Sequence, residues 1–233
     1  MPHALALRDP RLNSGPHVNA SVAVGGRSLP ADHGYLLYSA VSKTCSQLHG
    51  IDWLAIELIS GFPAGRGLIG LSGQSSLLRL RIPAEHYRDV LQLAGKRLDI
   101  GGHAIRLGLP FVRPLEPSRS VYARVVTIKK FTEAESFIEA VSRKLDQFGI
   151  KGHVELPRDE MGRYRRRIIT IHGKSVIGFS VAIHDLNDED SLLLQAGAVK
   201  SKSVERGEET WQSIFSRRAM GCGIFNPIVS GEA

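Results

Sequence analysis

Arg113-Pro114-Leu115-Glu116-Pro117-Ser118 reads as a linker, and the order of elements on either side of it decides the fold. Proline fixes φ and donates no backbone hydrogen bond, so prolines among polar residues interrupt helix and strand alike. Upstream, Val18 to Val24 alternates as a strand, with Val18, Ala20, Val22 and Val24 on one face. Leu29-Pro30-Ala31-Asp32 leads into a helix for which Asp32 is the expected N-cap. Leu36, Ala40, Thr44 and Leu48, with Leu37, Val41 and Cys45, form an apolar stripe along it, and Gly50 is the expected stop. Trp53 to Ile59 is the expected second strand. Ser76 to Ile82 is the third, its leucines alternating with Arg79 and Arg81 on an exposed basic face. Pro83 to Leu93 suits a helix, and Arg97–Ile100 with His103–Leu109 flank Gly101-Gly102 as a hairpin.

Downstream the order repeats. Val121 to Ile128 is a strand, and Thr132 is the expected cap of a helix that runs to about Phe148 and stops at Gly149. Gly152 to Leu156 is a strand; Arg165–His172 and Lys174–Ile183 form a hairpin around Gly173. Leu186 to Ala196 is a short helix capped by Asn187 or Asp188, and Ile224 to Val229 closes the sheet. Residues 197–216 are polar and carry no clear periodicity, with Trp211, Ile214 and Phe215 as anchors. Two β-α-β-β-α-β units in tandem predict an α+β fold of two ferredoxin-like domains, residues 18–115 and 116–233.

The chain is 42% hydrophobic, enough for a proper core, and its formal net charge of +7 with a pI of about 9.6 favours a polyanionic partner. Before residue 116 there are 12 Lys and Arg against 7 Asp and Glu; the remainder has 18 against 16, so the basic excess is not a tail. Cys45 and Cys222 lie far apart with no Cys-x-x-Cys, which indicates neither a zinc site nor a disulfide framework. No apolar run is long enough to span a membrane, and a reducing cytoplasm is the expected location.

Three features carry chemistry. Arg217-Arg218-Ala219-Met220-Gly221-Cys222-Gly223 leads two arginines into a Gly-x-Gly turn, whose backbone N–H groups suit an anion such as phosphate. Arg163, Arg165, Arg166 and Arg167 form the densest basic run; alternation puts Arg165 and Arg167 on one face of their strand and Arg166 on the other. His33 and His49 bracket the first helix, roughly 24 Å apart at 1.5 Å per residue, so they cannot serve one phosphate together. At about 100° per residue, Tyr35, Tyr38, Ser42 and His49 fall along one edge of that helix, with Lys43 on a neighbouring face.

Several stretches resemble the Myxan subtype of the CRISPR-associated endoribonucleases, in the repeat-associated mysterious protein (RAMP) superfamily. They are Leu29-Pro30-Ala31-Asp32-His33-Gly34-Tyr35, Leu48-His49, Leu93-Ala94-Gly95-Lys96-Arg97-Leu98-Asp99, Arg113-Pro114-Leu115-Glu116-Pro117 and Arg217 to Phe225. The resemblance runs from about residue 18 to residue 229, and residues 200–216 are longer than this region usually is in the family. It implies tandem ferredoxin-like domains, binding of a CRISPR repeat transcript, metal-independent cleavage without a cofactor, and association with other effector-complex subunits. His49 matches the family's catalytic histidine.

Cleavage without a metal uses the ribose 2′-OH as nucleophile, so a base, an acid and a charge stabiliser are required; histidine suits the proton transfers, and Lys, Arg or backbone N–H groups suit the phosphate. The expected catalytic set is therefore His49, Tyr38 and His33. The expected RNA contacts are Lys43, Arg163, Arg165, Arg166, Arg167, Arg217, Arg218 and the Gly221-Cys222-Gly223 turn. The alternative is a non-catalytic RNA-binding subunit of a CRISPR effector complex, which would need no titrating group at position 49.

Overall fold

The computed structural model describes residues 15–73, 75–202 and 209–228. The first stretch of chain forms β1 (His17–Gly25), β2 (Ser28–Pro30), α1 (Gly34–Thr44), β3 (Ala55–Ile56), β4 (Phe62–Pro63), β5 (Leu68–Gly70), β6 (Leu77–Pro83), α2 (Tyr87–Leu91), β7 (Arg97–Ile100) and β8 (His103–Pro114). Then follow β9 (Val121–Val126), α3 (Ala134–Gln147), β10 (His153–Glu155), β11 (Arg166–Ile171), β12 (Lys174–His184), α4 (Asp188–Ala196), β13 (Ala198–Lys202), β14 (Glu209–Ser213) and β15 (Phe225–Pro227). The fold is a sheet-rich α+β arrangement, and no helix among the described residues is long and apolar enough to cross a membrane.

Two antiparallel sheets dominate, in the orders β3-β6-β1-β8-β7 and β10-β12-β9-β15. Each is covered on one face by the helices of its own stretch of chain. In the first, Leu37 and Val41 of α1 pack on Ala20, Val22, Leu78, Leu80 and Ile82, all fully buried. In the second, Phe137, Val141 and Leu145 of α3 meet Val121, Ala123, Val181 and Ile183. The three- and four-residue spacing on the helices and the two-residue spacing on the strands produce these layers directly. Strand β12 is long enough to do two jobs: residues 179–184 belong to the second sheet, while residues 174–178 pair only with β11 and form a two-stranded arm.

Several boundaries differ from those expected. Helix α1 stops at Thr44, and a separate 3-10 turn, Ser46–Leu48, brings the chain to His49. Thr44 and Cys45 are weak helix formers, and the tighter turn still buries Leu48. The N-cap of α1 is His33; Asp32 instead accepts the Thr170 amide of β11 at 2.8 Å. Thr132 does not cap α3, whose N-cap is Glu133, whereas Asn187 does cap α4, its side chain accepting from the Asp190 amide at 2.8 Å. Of Trp53–Ile59 only Ala55 and Ile56 pair as a strand. The expected helix over Pro83–Leu93 is a 3-10 turn followed by the short α2. Arg113 and Pro114 belong to β8, so the linker begins at residue 115. Residues 197–216 contain the hairpin β13–β14, and Val229 of the expected closing strand lies outside the described residues.

Arg81 marks the largest departure. The alternation of β6 is as expected, but the face opposite the leucines is not open to water, and Arg81 is only 1% exposed. Its guanidinium donates to the Gln195 carbonyl at 2.9 Å, the Phe225 carbonyl at 2.5 Å and Asn226 Oδ1 at 2.6 Å, all in the second half of the chain. Asn19 and Glu57 hold it from its own sheet. Burial depresses the guanidinium pKa, and Glu57 opposes that effect. The back of the first sheet is thus where the two sheets meet.

Candidate active site

A cleft of about 600 Å³ lies beside α1. Tyr35, Tyr38, Ser39, Ser42 and Lys43 of α1 form one wall, and His49 closes its end. His172, at the tip of the β11–β12 arm, and Met220, from the glycine-rich stretch, form the other side. Three- and four-residue spacing along α1 puts its contributors on one face. No Asp or Glu is among the lining residues, and no cluster of three or more His, Cys, Asp or Glu among the described residues could hold a metal ion.

His49 is exposed, with its ring stacked on Tyr38 at 6.0 Å between centroids and an interplanar angle of 15°. The Tyr38 hydroxyl accepts the Gly50 amide at 3.0 Å, so this tyrosine holds both the ring and the turn that carries it. Because α1 ends at Thr44, His49 sits beyond a 3-10 turn in extended conformation (φ −82°, ψ 130°) rather than at an α-helix C-terminus. Lys43 is exposed in the same cleft.

His33 does not join them. It is 1% exposed, and both ring nitrogens are occupied. The Ile59 amide can only donate, so Nε2 accepts from it at 3.0 Å; Nδ1 therefore carries the hydrogen and donates to the Pro30 carbonyl at 2.7 Å. Burial lowers the pKa of this neutral, fully engaged imidazole. It ties the entry of α1 to the strand region after β3 and has no nitrogen left for a substrate.

The glycine-rich stretch also faces inward. The Gly221 amide donates to the Arg218 carbonyl at 3.1 Å, the Cys222 amide to the Arg217 carbonyl at 3.2 Å and the Gly223 amide to the Val125 carbonyl at 2.8 Å. The N–H groups expected to cradle an anion are spent on the chain itself. Arg218 is 2% exposed and donates to the carbonyls of Ala196 and Trp53. Arg217, in left-handed conformation at φ 63°, donates to Thr127 Oγ1 at 2.9 Å. Burial pushes the Cys222 thiol pKa up to about 12, which removes it from nucleophilic chemistry. What the stretch supplies to the cleft is Met220, held where a Cβ at Gly34 would collide with its carbonyl.

The basic run divides. Arg163 pairs with Asp159 at 2.9 Å within its own loop. Arg165, Arg166 and Arg167 are exposed. Arg166 lines a separate concavity with Glu133, Tyr164 and Phe179, while Arg167 is close enough to Arg124 for the two charges to oppose each other. The expected alternation of β11 thus holds for this pair. Sequence reasoning missed His172, naming it only as the last residue of a strand before the Gly173 turn. The available signal was its place before Gly173 in a two-residue turn, where Asn or Asp is the usual residue.

Comparison with known proteins identifies the family. The family model described as "Cas6 Crispr" matches residues 18–202. A CRISPR-associated endonuclease Cas6 of Myxococcus xanthus is 34% identical over 204 residues, covering 88% of this chain and 78% of the relative. A solved CRISPR-associated protein Cas6 superposes with a TM-score of 0.60 at 11% identity, covering 92% of this chain and 99% of the other. A RAMP protein binding different RNA substrates superposes at 0.59 with 12% identity, covering 92% and 100%. At those identities the two structures show a shared fold and nothing finer. The family match across most of the chain and the identity to the Myxococcus xanthus relative establish that this chain belongs to the Cas6 family of CRISPR-associated proteins, in its Myxan type.

Proposed function

We propose that this chain is a metal-independent endoribonuclease that binds CRISPR repeat RNA and processes precursor crRNA. The ribose 2′-OH attacks the adjacent phosphate, leaving a 2′,3′-cyclic phosphate upstream and a 5′-OH downstream. The observation that carries this is His49 in a cleft with Lys43 and two tyrosines and no carboxylate in its lining. The Myxococcus xanthus relative is named an endonuclease, which supports the same activity here.

In this reading His49 transfers a proton at the scissile phosphate, and Tyr38 orients it through the stacked ring and the Gly50 amide. Lys43 offsets the charge that builds on the phosphorane. Arg165 and Arg167 grip the RNA backbone from the β11 side, where guanidinium suits phosphate. The two sheets are read as tandem ferredoxin-like domains, residues 18–115 and 116–233. The support is the strand order, since second, third, first and fourth strands lie in that sequence in each: β3-β6-β1-β8 and β10-β12-β9-β15. The cleft then lies where the two domains touch.

The test is incubation with the cognate repeat RNA in EDTA, followed by analysis of product ends. Cleavage that persists and yields a cyclic phosphate and a 5′-OH is expected. Dependence on Mg²⁺ or a 5′-phosphate product would exclude this chemistry, and tight binding without cleavage would make the chain a binding subunit.

A further inference from the structure

We infer that His172 is a second catalytic residue of this cleft, carrying the proton transfer that His49 does not; the inference rests on the endoribonuclease reading. Attack by the 2′-OH forms a bond from 2′-O to phosphorus and breaks the bond from phosphorus to 5′-O. One proton leaves the 2′-OH for a base, and one reaches the 5′-oxygen from an acid, so no other reactant is needed. Of the titratable groups lining the cleft, Tyr35, Tyr38, Lys43, His49 and His172, only the two imidazoles belong to a class that exchanges protons near neutrality.

Each histidine is supported by a tyrosine of α1. Tyr38 stacks on His49, and Tyr35 lies three residues earlier on the same face. The Tyr35 hydroxyl is 3.0 Å from His172 Nδ1, with ring centroids 4.5 Å apart. With Nδ1 engaged, Nε2 is the nitrogen that remains for the substrate. The hydroxyl can donate to neutral imidazole or accept from imidazolium, so the contact persists through a proton-transfer cycle. The arm is fixed behind the tip as well, because the Thr170 amide donates to Asp32 at 2.8 Å.

The backbone at the tip points the same way. Ile171 pairs with Lys174, so His172 and Gly173 alone make the turn, at φ 49° and 72°. A two-residue turn with positive φ at both positions favours Asn-Gly, and a histidine there is strained. A turn serving only to reverse the chain has no use for an imidazole.

The decisive variant is His172→Asn, which keeps the residue best suited to the turn and removes the titrating group. Folding is checked by thermal melting, and cleavage and repeat-RNA affinity are measured separately across pH. Cleavage should fall about 10²-fold or more at nearly unchanged affinity. The pH–rate profile should lose a limb that His49→Ala leaves in place. Tyr35→Phe, which keeps the ring and removes the Nδ1 partner, should give a smaller loss of rate. Wild-type rates in folded His172→Asn, with His49→Ala inactive, would overturn this inference and leave the endoribonuclease reading standing. Affinity and rate falling together, with both limbs retained, would reduce His172 to an RNA contact. A native chain that binds but never cuts repeat RNA would remove the endoribonuclease reading itself, and this inference with it.

Discussion

Two turns in this molecule combine left-handed backbone, glycine and neighbouring basic residues, and they have opposite fates. The stretch around Gly221 and Gly223 has the residue types of an anion nest, yet each of its three amides donates to a carbonyl of the same chain. The turn at His172 and Gly173 has no such signature, yet its tip is exposed and lines the cleft. Glycine licenses a conformation and a close approach, and does not say who approaches. At Gly223 the neighbour is Phe215, against whose Cβ an added Cβ would sit at 2.6 Å. At Gly173 an added Cβ would meet nothing within 4 Å. Packing neighbours make one turn structural and leave the other open.

The sharpest way to break this contrast is to remove the imidazole on the cleft side. His49→Ala should lower the cleavage rate by about 10²- to 10⁴-fold, with repeat-RNA affinity and melting temperature nearly unchanged. A variant with full activity would take His49 out of the proton transfer. On the inward-facing side the expected loss is of stability, not of chemistry. Gly223→Val forces a β-branched residue into φ 61° against Phe215 and should destabilise the fold by about 3 kcal/mol or more, seen as a melting temperature lower by roughly 10 °C. Whatever fraction remains folded should bind RNA normally. Selective loss of binding from a fully stable Gly223→Val protein would restore the anion-site reading of this stretch.

The smallest effects belong to the arginines of β11. Arg167→Ala should flatten the log–log dependence of RNA affinity on salt by about 0.7–0.9, the amount expected for one lost phosphate contact. Arg166→Ala, facing the separate concavity beside Glu133, should change the slope less. Equal slopes in the two variants would mean that the faces of β11 are not distinguished by RNA.

Periodicity made the layers legible. Leu37 and Val41 on α1, Leu78, Leu80 and Ile82 on β6, and Phe137, Val141 and Leu145 on α3 are buried as their spacing requires. Local pattern failed where a distant part of the chain took over a residue's role. Asp32 looked like a cap and is engaged by Thr170 instead; Arg81 looked solvated and lies under β15. The cleft was half legible. Tyr35, Tyr38, Ser42 and His49 were found from helical geometry and all line the cleft, even though α1 ends before His49. His172 was not found, because its 137-position separation from Tyr35 leaves no local trace. Arg218 and His33 carried residue types suited to phosphate and proton transfer, but burial, which local pattern does not reveal, assigned both to the interior.

The buried Arg81 also sets an order of events during synthesis. Its partners Phe225 and Asn226 lie 144 and 145 positions later in the chain, so they leave the ribosome long after every strand of the first sheet. Until then the first sheet can fold, but the Arg81 guanidinium remains hydrated and the back of that sheet uncovered. Contacts this distant in sequence form late and slowly. When β15 arrives, one strand completes the second sheet and strips the water from Arg81 in the same step. An incomplete nascent chain therefore has α1 and even the β11–β12 arm without the junction that holds the two sheets in register, and its cleft is unfinished until that last strand is in place.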